Sequence, residues 1–470
     1  MNRFLISVAL LLWCSLLPAQ NPVDQLIQNP LLQNANISML VRDLKTGETL
    51  YEWQPTNSRI PASTMKTVTT ATALEILGPD FRFETKIETD GKIGKDSTLN
   101  GNLYIRGSGD PTIGSEKTGD KNFLAKWVEA VRKAGINNIN GSIIADPGIF
   151  DREVINPKWS WEDMGNYYAA GVHGIAYLDN TLRVFFRSGK AGSATEIIRT
   201  EPEISELTID NYVTSASVNS DEAYFYGAPF SNNRYVTGRI PEKKEEFAVK
   251  SDIPNPALLL ARHFQNQLIL SGIKISDNAR VESNTGSIRK LTVFSHFSPS
   301  LSEIITETNV SSNNLYAEYL FKFLGVKNNQ PGTNDLAVKT IRDFWKSRGL
   351  PVDELFQVDG SGLSAVNGVS AHFFVELLTY MQNNSKYNYF FFNSLPVSGI
   401  SGTLKSFLAE PPLKGKVHAK SGTIAGVKSY TGYIERPDKT LVFALLINNA
   451  NGTSREVTKK MEEFLENIAK

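Results

Sequence analysis

Residues 441–447 read LVFALLI, an apolar run with no polar residue to mark a solvent face. A run of this length suits a strand buried on both sides, so its sheet must be covered by helices. Alternating patterns over 417–423 and 429–434 predict two neighbouring strands. A closing helix follows, with Ser454 as its cap and Val457, Met461, Phe464, Leu465 and Ile468 on one face. Near the other end, 38–43 and 48–53 form a hairpin pattern around the turn 44–47. A helix then begins near Pro61, carries Met65, Val68, Ala73, Leu74 and Leu77, and stops at Gly78 and Pro79. The two ends together predict an α+β domain, an antiparallel sheet covered by helices.

From 81 to 287 the texture changes to short strands and turns, with strands expected over 99–106, 141–146 and 181–186 and helices over 121–134 and 256–268. Helical patterns return over 301–308, 315–324, 335–347 and 371–382. The expected division is an outer domain of 21–85 and 288–470, interrupted by a large, strand-rich α/β module over 86–287.

Composition removes several functions. With 470 residues, 41% of them hydrophobic, the chain can bury more than one core. Forty-nine Lys plus Arg balance 49 Asp plus Glu, which leaves no net field for general nucleic-acid binding. One Cys and five scattered His form no disulfide framework and no metal-ligand cluster, and no cofactor is implied. Residues 1–20 read as a secretory signal: Arg3, an apolar stretch over 4–17, then Pro18, Ala19 and Gln20 before the expected cleavage. The stretch is shorter than the ~20 residues of a spanning helix, with an uncleaved anchor as the alternative. Cys14 follows bulky Trp13 and reads as signal filler, not a lipid attachment site. The mature chain then lacks Cys and contains no spanning segment, which suits a periplasmic or other extracytoplasmic protein.

The chemistry centres on Ser63 and Lys66. No GxSxG elbow is present and no His is assignable to a triad, so a serine nucleophile needs another base. Residues three apart stack on one helical face, which brings the Lys66 amine within reach of the Ser63 hydroxyl. The positive end of the helix dipole also favours negative charge on that oxygen. Lys66 must be neutral to accept a proton; apolar neighbours and a second cation would both lower its pKa.

SxxK belongs to an ordered set with SxN and K(T/S)G. Here the later members are Ser312 with Asn314, and Lys420 with Ser421 and Gly422. Decoys occur: SxxK at 287–290, SDN at 276–278, SNN at 231–233, and KTG at 45–47 and 117–119. Context separates them. The KTG at 45–47 sits in a hairpin turn ahead of the serine, and the SDN leads into no amphipathic helix. Ser312 to Asn314, by contrast, run directly into Leu315, Tyr319, Leu320 and Phe323. Lys420 to Gly422 lie on a strand, where glycine admits a close backbone approach and Thr423 can offer its amide.

Longer phrases sharpen this to a family. DGSGLS at 359–364, LPVSGISGTL at 395–404 and RGSGDP at 106–111, with the long gap between Ser63 and Ser312, resemble the class C low-molecular-mass penicillin-binding proteins. These are D-alanyl-D-alanine carboxypeptidases and endopeptidases. Ser421 departs from the usual Thr but keeps the hydroxyl. The resemblance implies a penicillin-binding, β-lactamase-like serine transpeptidase fold with a large insert. It implies that Ser63 is acylated, Lys66 takes its proton, and Ser312 beside Lys420 relays protons to the leaving amine. It further implies an oxyanion hole from the amides of Ser63 and Thr423, a substrate-amide contact at Asn314, and carboxylate recognition by Ser421 and Thr423 on the strand that Gly422 opens. Asp163, within WSWEDM at 159–164, resembles the residue that meets the amine of a diaminopimelate-type side chain, with loop packing as the alternative. His418 reads as an edge residue, and Asp359 as part of the cleft floor or of a glycine turn. Expected partners are peptidoglycan stem peptides and β-lactam inhibitors, in the periplasm; the oligomeric state stays open, a homodimer among the options. A serine β-lactamase on the same trio and a non-catalytic wall-binding protein are the competing readings.

Overall fold

The structure is a computed structural model that describes residues 21–283, 290–327 and 330–470. The expected leader with Cys14, and most of the second SxxK, lie outside these residues.

Five antiparallel strands form the outer domain's sheet, in the order Thr49–Trp53, Asn36–Asp43, Thr440–Asn448, Val427–Glu435, Val417–Ile424. The apolar run lies on the central strand and is buried throughout. Its period of two divides it between two cores. Leu441, Phe443, Leu445 and Ile447 pack with the Pro22–Ile27 and Ser454–Ile468 helices, whereas Val442, Ala444 and Leu446 face the larger helical layer. The closing helix is capped by Thr453 in place of the expected Ser454. Thr453 accepts from the Glu456 amide while the Glu456 carboxylate accepts from the Thr453 amide, a reciprocal box that sets the first turn one residue earlier.

Within the larger layer the Met65–Leu77 helix is buried from Met65 to Leu74, although it is rich in threonine. Threonine is tolerated because each hydroxyl finds an oxygen: Thr67 bonds Thr64, Thr70 bonds Lys66 and Thr72 bonds Val68, while Thr69 reaches the Gly360 carbonyl. Around it pack the Leu301–Val310, Asn314–Phe323, Asn334–Ser347 and Ala371–Asn383 helices, and a short Asn388–Ser394 helix that the sequence pattern did not mark.

The inserted module has a core of its own, built around Trp127, Phe186, Phe225 and Phe264. The chain leaves along Glu84–Thr89 and returns along Leu291–Phe297, and these strands pair antiparallel in one sheet. The return strand thus lies in the module's sheet, past the expected limit at 287, because its ladder partner is the outgoing strand. The single strand expected over 99–106 is two, Thr98–Asn100 and Leu103–Arg106, which belong to different sheets. Gly101 makes the break: its φ is +152°, and a Cβ there would lie 2.6 Å from Gly91 Cα. Further along are two three-stranded sheets, Glu196–Glu201, Thr181–Arg187 and Phe247–Asp252, then Thr208–Ala216, Asn233–Pro241 and Glu222–Tyr226. Among the described residues no helix is long and apolar enough to cross a membrane.

Phe443 fills the core between the sheet and the closing helix. Phe443→Ala is expected to cost about 3–5 kcal/mol, read by calorimetry as a lowered unfolding midpoint; a loss under about 1 kcal/mol would contradict this packing.

Candidate active site

Ser63 sits in a 3-10 turn, Ala62–Thr64, at the head of the buried Met65–Leu77 helix. The turn is tight. Ala62 is held at φ +48°, a left-handed conformation costly for a residue with a Cβ. The Pro61 carbonyl accepts from both Thr64 Oγ1, at 2.7 Å, and Ser429 Oγ, at 2.5 Å, which fixes the turn against the sheet. Two glycines allow the surrounding backbone to close in. A Cβ on Gly422 would lie 2.5 Å from the Pro61 carbonyl oxygen and 3.0 Å from the Ser63 amide, and one on Gly362 would lie 1.9 Å from the Ala62 carbonyl oxygen.

The Lys66 amine is fully buried and donates to three oxygens: Ser63 Oγ at 3.0 Å, Asn314 Oδ1 at 2.7 Å and the Ser361 carbonyl at 2.8 Å. None of these acceptors carries a full charge. Burial therefore pulls the amine down to about 7, although the carboxyls of Glu318 and Asp359 act in the opposite direction. A neutral amine one turn from a hydroxyl can take its proton. Asn314 opens the Asn314–Phe323 helix, and its amide nitrogen donates to the Tyr168 carbonyl of the inserted module at 2.8 Å.

Lys420 is buried as well, and donates to Ser312 Oγ and to the Ser421 carbonyl, each at 2.9 Å. Burial, then the charge of Lys66, holds its pKa well below that of a free lysine. Ser312 is itself at φ +57°. Lys420 lies on Val417–Ile424, the edge strand of the sheet. Its beginning is covered: the amide of Ala419 donates outward to the Pro396 carbonyl. By antiparallel alternation the amides of Ser421 and Thr423 point to the same side, where the edge is open. The Ser421 hydroxyl donates to Thr403 Oγ1 at 2.7 Å, and Thr423 Oγ1 accepts from Lys428 Nζ at 2.9 Å.

Ser63, Asn314 and Thr423 line a cavity of about 810 Å³ whose opposite wall comes from the inserted module, with Ser160, Asp163 and Tyr168. Asp163 is half-buried, and this burial raises its pKa against a hydrogen bond from Tyr168. His418 does not line the cavity. It stacks on Phe392, ring centroids 4.2 Å apart, with Nε2 3.8 Å from Glu435. Asp359 is buried and accepts from the amides of Gly362 and Ser364, from Asn367 Nδ2 and from Trp159 Nε1, so it organises the loop that carries the Ser361 carbonyl.

Glu318 was not marked by sequence reasoning. It is buried, accepts from the amides of Gly360 and Ser361 at 3.1 and 2.7 Å, and its pKa is pushed up by burial and then by the neighbouring Asp359. It thereby holds the peptide unit next to the carbonyl that meets Lys66. Its place four residues after Asn314 on one helix was the available signal. Among the described residues no group of three or more His, Cys, Asp or Glu is arranged to hold a metal ion.

A family model described as "D-Ala-D-Ala carboxypeptidase 3 (S13) family" matches residues 19–468. The chain belongs to that family. A D-alanyl-D-alanine carboxypeptidase of Actinomadura sp. strain R39 is 28% identical over 443 residues, 92% of this chain and 81% of the relative. Penicillin binding protein 4 of Haemophilus influenzae has a similar fold, with TM-score 0.81 at 22% identity over 95% of this chain and 98% of that one. A predatory peptidoglycan endopeptidase from Bdellovibrio bacteriovorus is a more distant fold relative, with TM-score 0.51 at 14% identity over 93% of this chain and 92% of that one. As an S13-family member the chain is a serine hydrolase with a penicillin-binding fold.

The depressed amine also leaves a stability signature. Between about 7 in the folded state and 10.5 when unfolded, the unfolded chain binds the extra proton at Lys66. Stability contributed by this group therefore rises with pH across that window. Lys66→Met is expected to remove up to about 1.4 kcal/mol per pH unit of that rise. Urea unfolding from pH 7 to 10 would check it, and unchanged slopes would reject a depressed Lys66.

Proposed function

We propose that the chain is a periplasmic serine D-alanyl-D-alanine carboxypeptidase and D,D-endopeptidase that acts on peptidoglycan stem peptides through an acyl-serine and is acylated by β-lactams. One observation carries the reading: a buried amine, pulled down to about 7, that donates to Ser63 Oγ at 3.0 Å beside an open cavity. Ser63 Oγ bonds to the carbonyl carbon of the penultimate D-alanine while Lys66 takes its proton. The carbon–nitrogen bond then breaks, and Ser312, hydrogen-bonded to Lys420, passes a proton to the departing amine. The amides of Ser63 and Thr423 receive the oxyanion, each donor worth about 3–4 kcal/mol. Water finally resolves the ester.

Asn314 orients the substrate amide, and Ser421 and Thr423, with Lys420 behind them, receive the terminal carboxylate along the edge that Gly422 keeps narrow. Asp163 on the opposite wall suits the amine of a diaminopimelate-type side chain. The family relation and the endopeptidase fold relative support hydrolysis of the D-alanyl bond in both free and cross-linked stems. The Haemophilus protein is also known complexed with a β-lactam, which supports acylation of this chain by the same class. The leader read in residues 1–20 supports export.

Fluorescent penicillin is expected to label wild type and leave Ser63→Ala unlabelled; equal labelling would reject the nucleophile. Slow loss of the label separates this reading from a β-lactamase. Wild type alone should release D-alanine from pentapeptides and monomers from cross-linked dimers. The acylation rate is also expected to rise with pH through about 7 and then level off, because the neutral form of Lys66 is the base. A flat profile from pH 6 to 8 would exclude that role.

A further inference from the structure

The inserted module presents an aromatic surface that the reaction at Ser63 does not use. In the sheet of Thr208–Ala216, Asn233–Pro241 and Glu222–Tyr226, side chains alternate between two faces. The inner face carries Val213, Phe225, Val236 and Ile240 into the module's core. The outer face is open and carries Tyr212, Tyr224, Tyr226 and Tyr235. Tyr212 and Tyr224 flank Thr237 across the ladder, and Tyr226 lies opposite Tyr235. Trp161 extends this group, since it stacks on Tyr226, which in turn stacks on Tyr235 at 4.8 Å and 11°. Exposure is high for such large rings: 66% for Tyr212, 52% for Trp161 and 47% for Tyr224. A cluster of this kind on an otherwise polar surface marks a binding face.

Its position and charge select the occupant. Tyr224 and Tyr226 also line the cavity that contains Ser63, so the aromatic face continues out of the cleft. A stem peptide acylating Ser63 is joined at its far end to a sugar, and a few residues at ~3.3–3.6 Å each keep that sugar within about 15 Å of the serine. Asp210 and Thr237 stand in the same rows as the rings, and Thr208, Asn233 and Thr214 flank them at the two ends, supplying carboxylate, hydroxyl and amide groups, while Glu222 and Arg239 form an ion pair. Rings that combine an apolar body with a polar tip, interleaved with such groups and with little net charge, suit the faces and hydroxyls of pyranoses.

We propose that this outer sheet face is a carbohydrate-binding platform that holds the glycan strand from which the stem peptide at Ser63 hangs. The proposal rests on the peptidase reading and extends it from the stem to the polymer. It makes the enzyme favour intact wall over free peptides.

The test uses the full chain with Tyr212→Ala and Tyr212→Ala/Tyr235→Ala, at positions outside the cavity lining. Glycan strands stripped of peptides serve as the binding probe, read by co-sedimentation. Wild type is expected to bind them, and the double variant to bind about tenfold more weakly. Hydrolysis of intact sacculi should fall in parallel, while penicillin labelling and turnover of a soluble D-alanyl-D-alanine peptide stay within about twofold; Tyr212→Phe should retain glycan binding. Glycan binding that is absent in wild type, or equal in wild type and double variant, would overturn the platform. So would wild-type dimers that the double variant dissolves without any glycan binding, because the face would then belong to a second copy. Failure of wild type to label with penicillin would refute the peptidase reading alone, since glycan binding is measured without turnover.

Discussion

The structure depends on one desolvated amine. Lys66 Nζ draws together Ser63 in the turn that leads into its helix, Asn314 at 248 positions' distance and Ser361 at 295. An ammonium in such a place would have to be compensated by a contacting anion. The contacts are instead a hydroxyl, an amide oxygen and a peptide carbonyl, with the carboxyls of Glu318 and Asp359 one layer behind. That arrangement keeps the amine hydrogen-bonded without fixing its charge. The threonine-lined helix, the helix opening at Asn314 and the glycine loop over 359–364 are the parts that make it.

A second level of control is steric. The Ser63 turn, the edge strand at Gly422 and the loop at Gly362 approach so closely that a single added carbon at either glycine would meet backbone. Left-handed backbone at Ala62 and Ser312, neither of them glycine, persists because neighbouring segments fix it from several sides. The result is a pocket whose polar groups are set by the packing of distant segments, so its geometry is as rigid as the core behind it.

Much of this was legible in the sequence because the governing rules are local. Spacing alone puts Lys66 beside Ser63, and alternation of apolar residues marks the central strand. Context distinguishes the trio from its decoys: the KTG at 45–47 lies in the hairpin turn, and the SDN at 276–278 lies between two short strands, Lys274–Ile275 and Arg280–Val281. What stayed hidden was non-local. Glu318 is an ordinary helical acid until the loop that buries it is known. The break at Gly101 and the return strand beyond 287 depend on ladder partners from other segments. The cap of the closing helix is Thr453 and not Ser454: both are good caps by residue type, and only the reciprocal bond with Glu456 distinguishes them.

The route by which the chain enters and leaves the inserted module has a consequence for its ancestry. Glu84 and Phe297 face each other as ladder partners, so the chain enters and leaves the module's sheet side by side. Partners in an antiparallel ladder are only ~5 Å apart. A gene segment could therefore be gained, exchanged or lost here without rethreading the surrounding sheet, and a short turn would reseal the gap. Any replacement would still have to supply a carbonyl for Asn314 and a donor for Asp359, the roles that Tyr168 and Trp159 fill across the cleft.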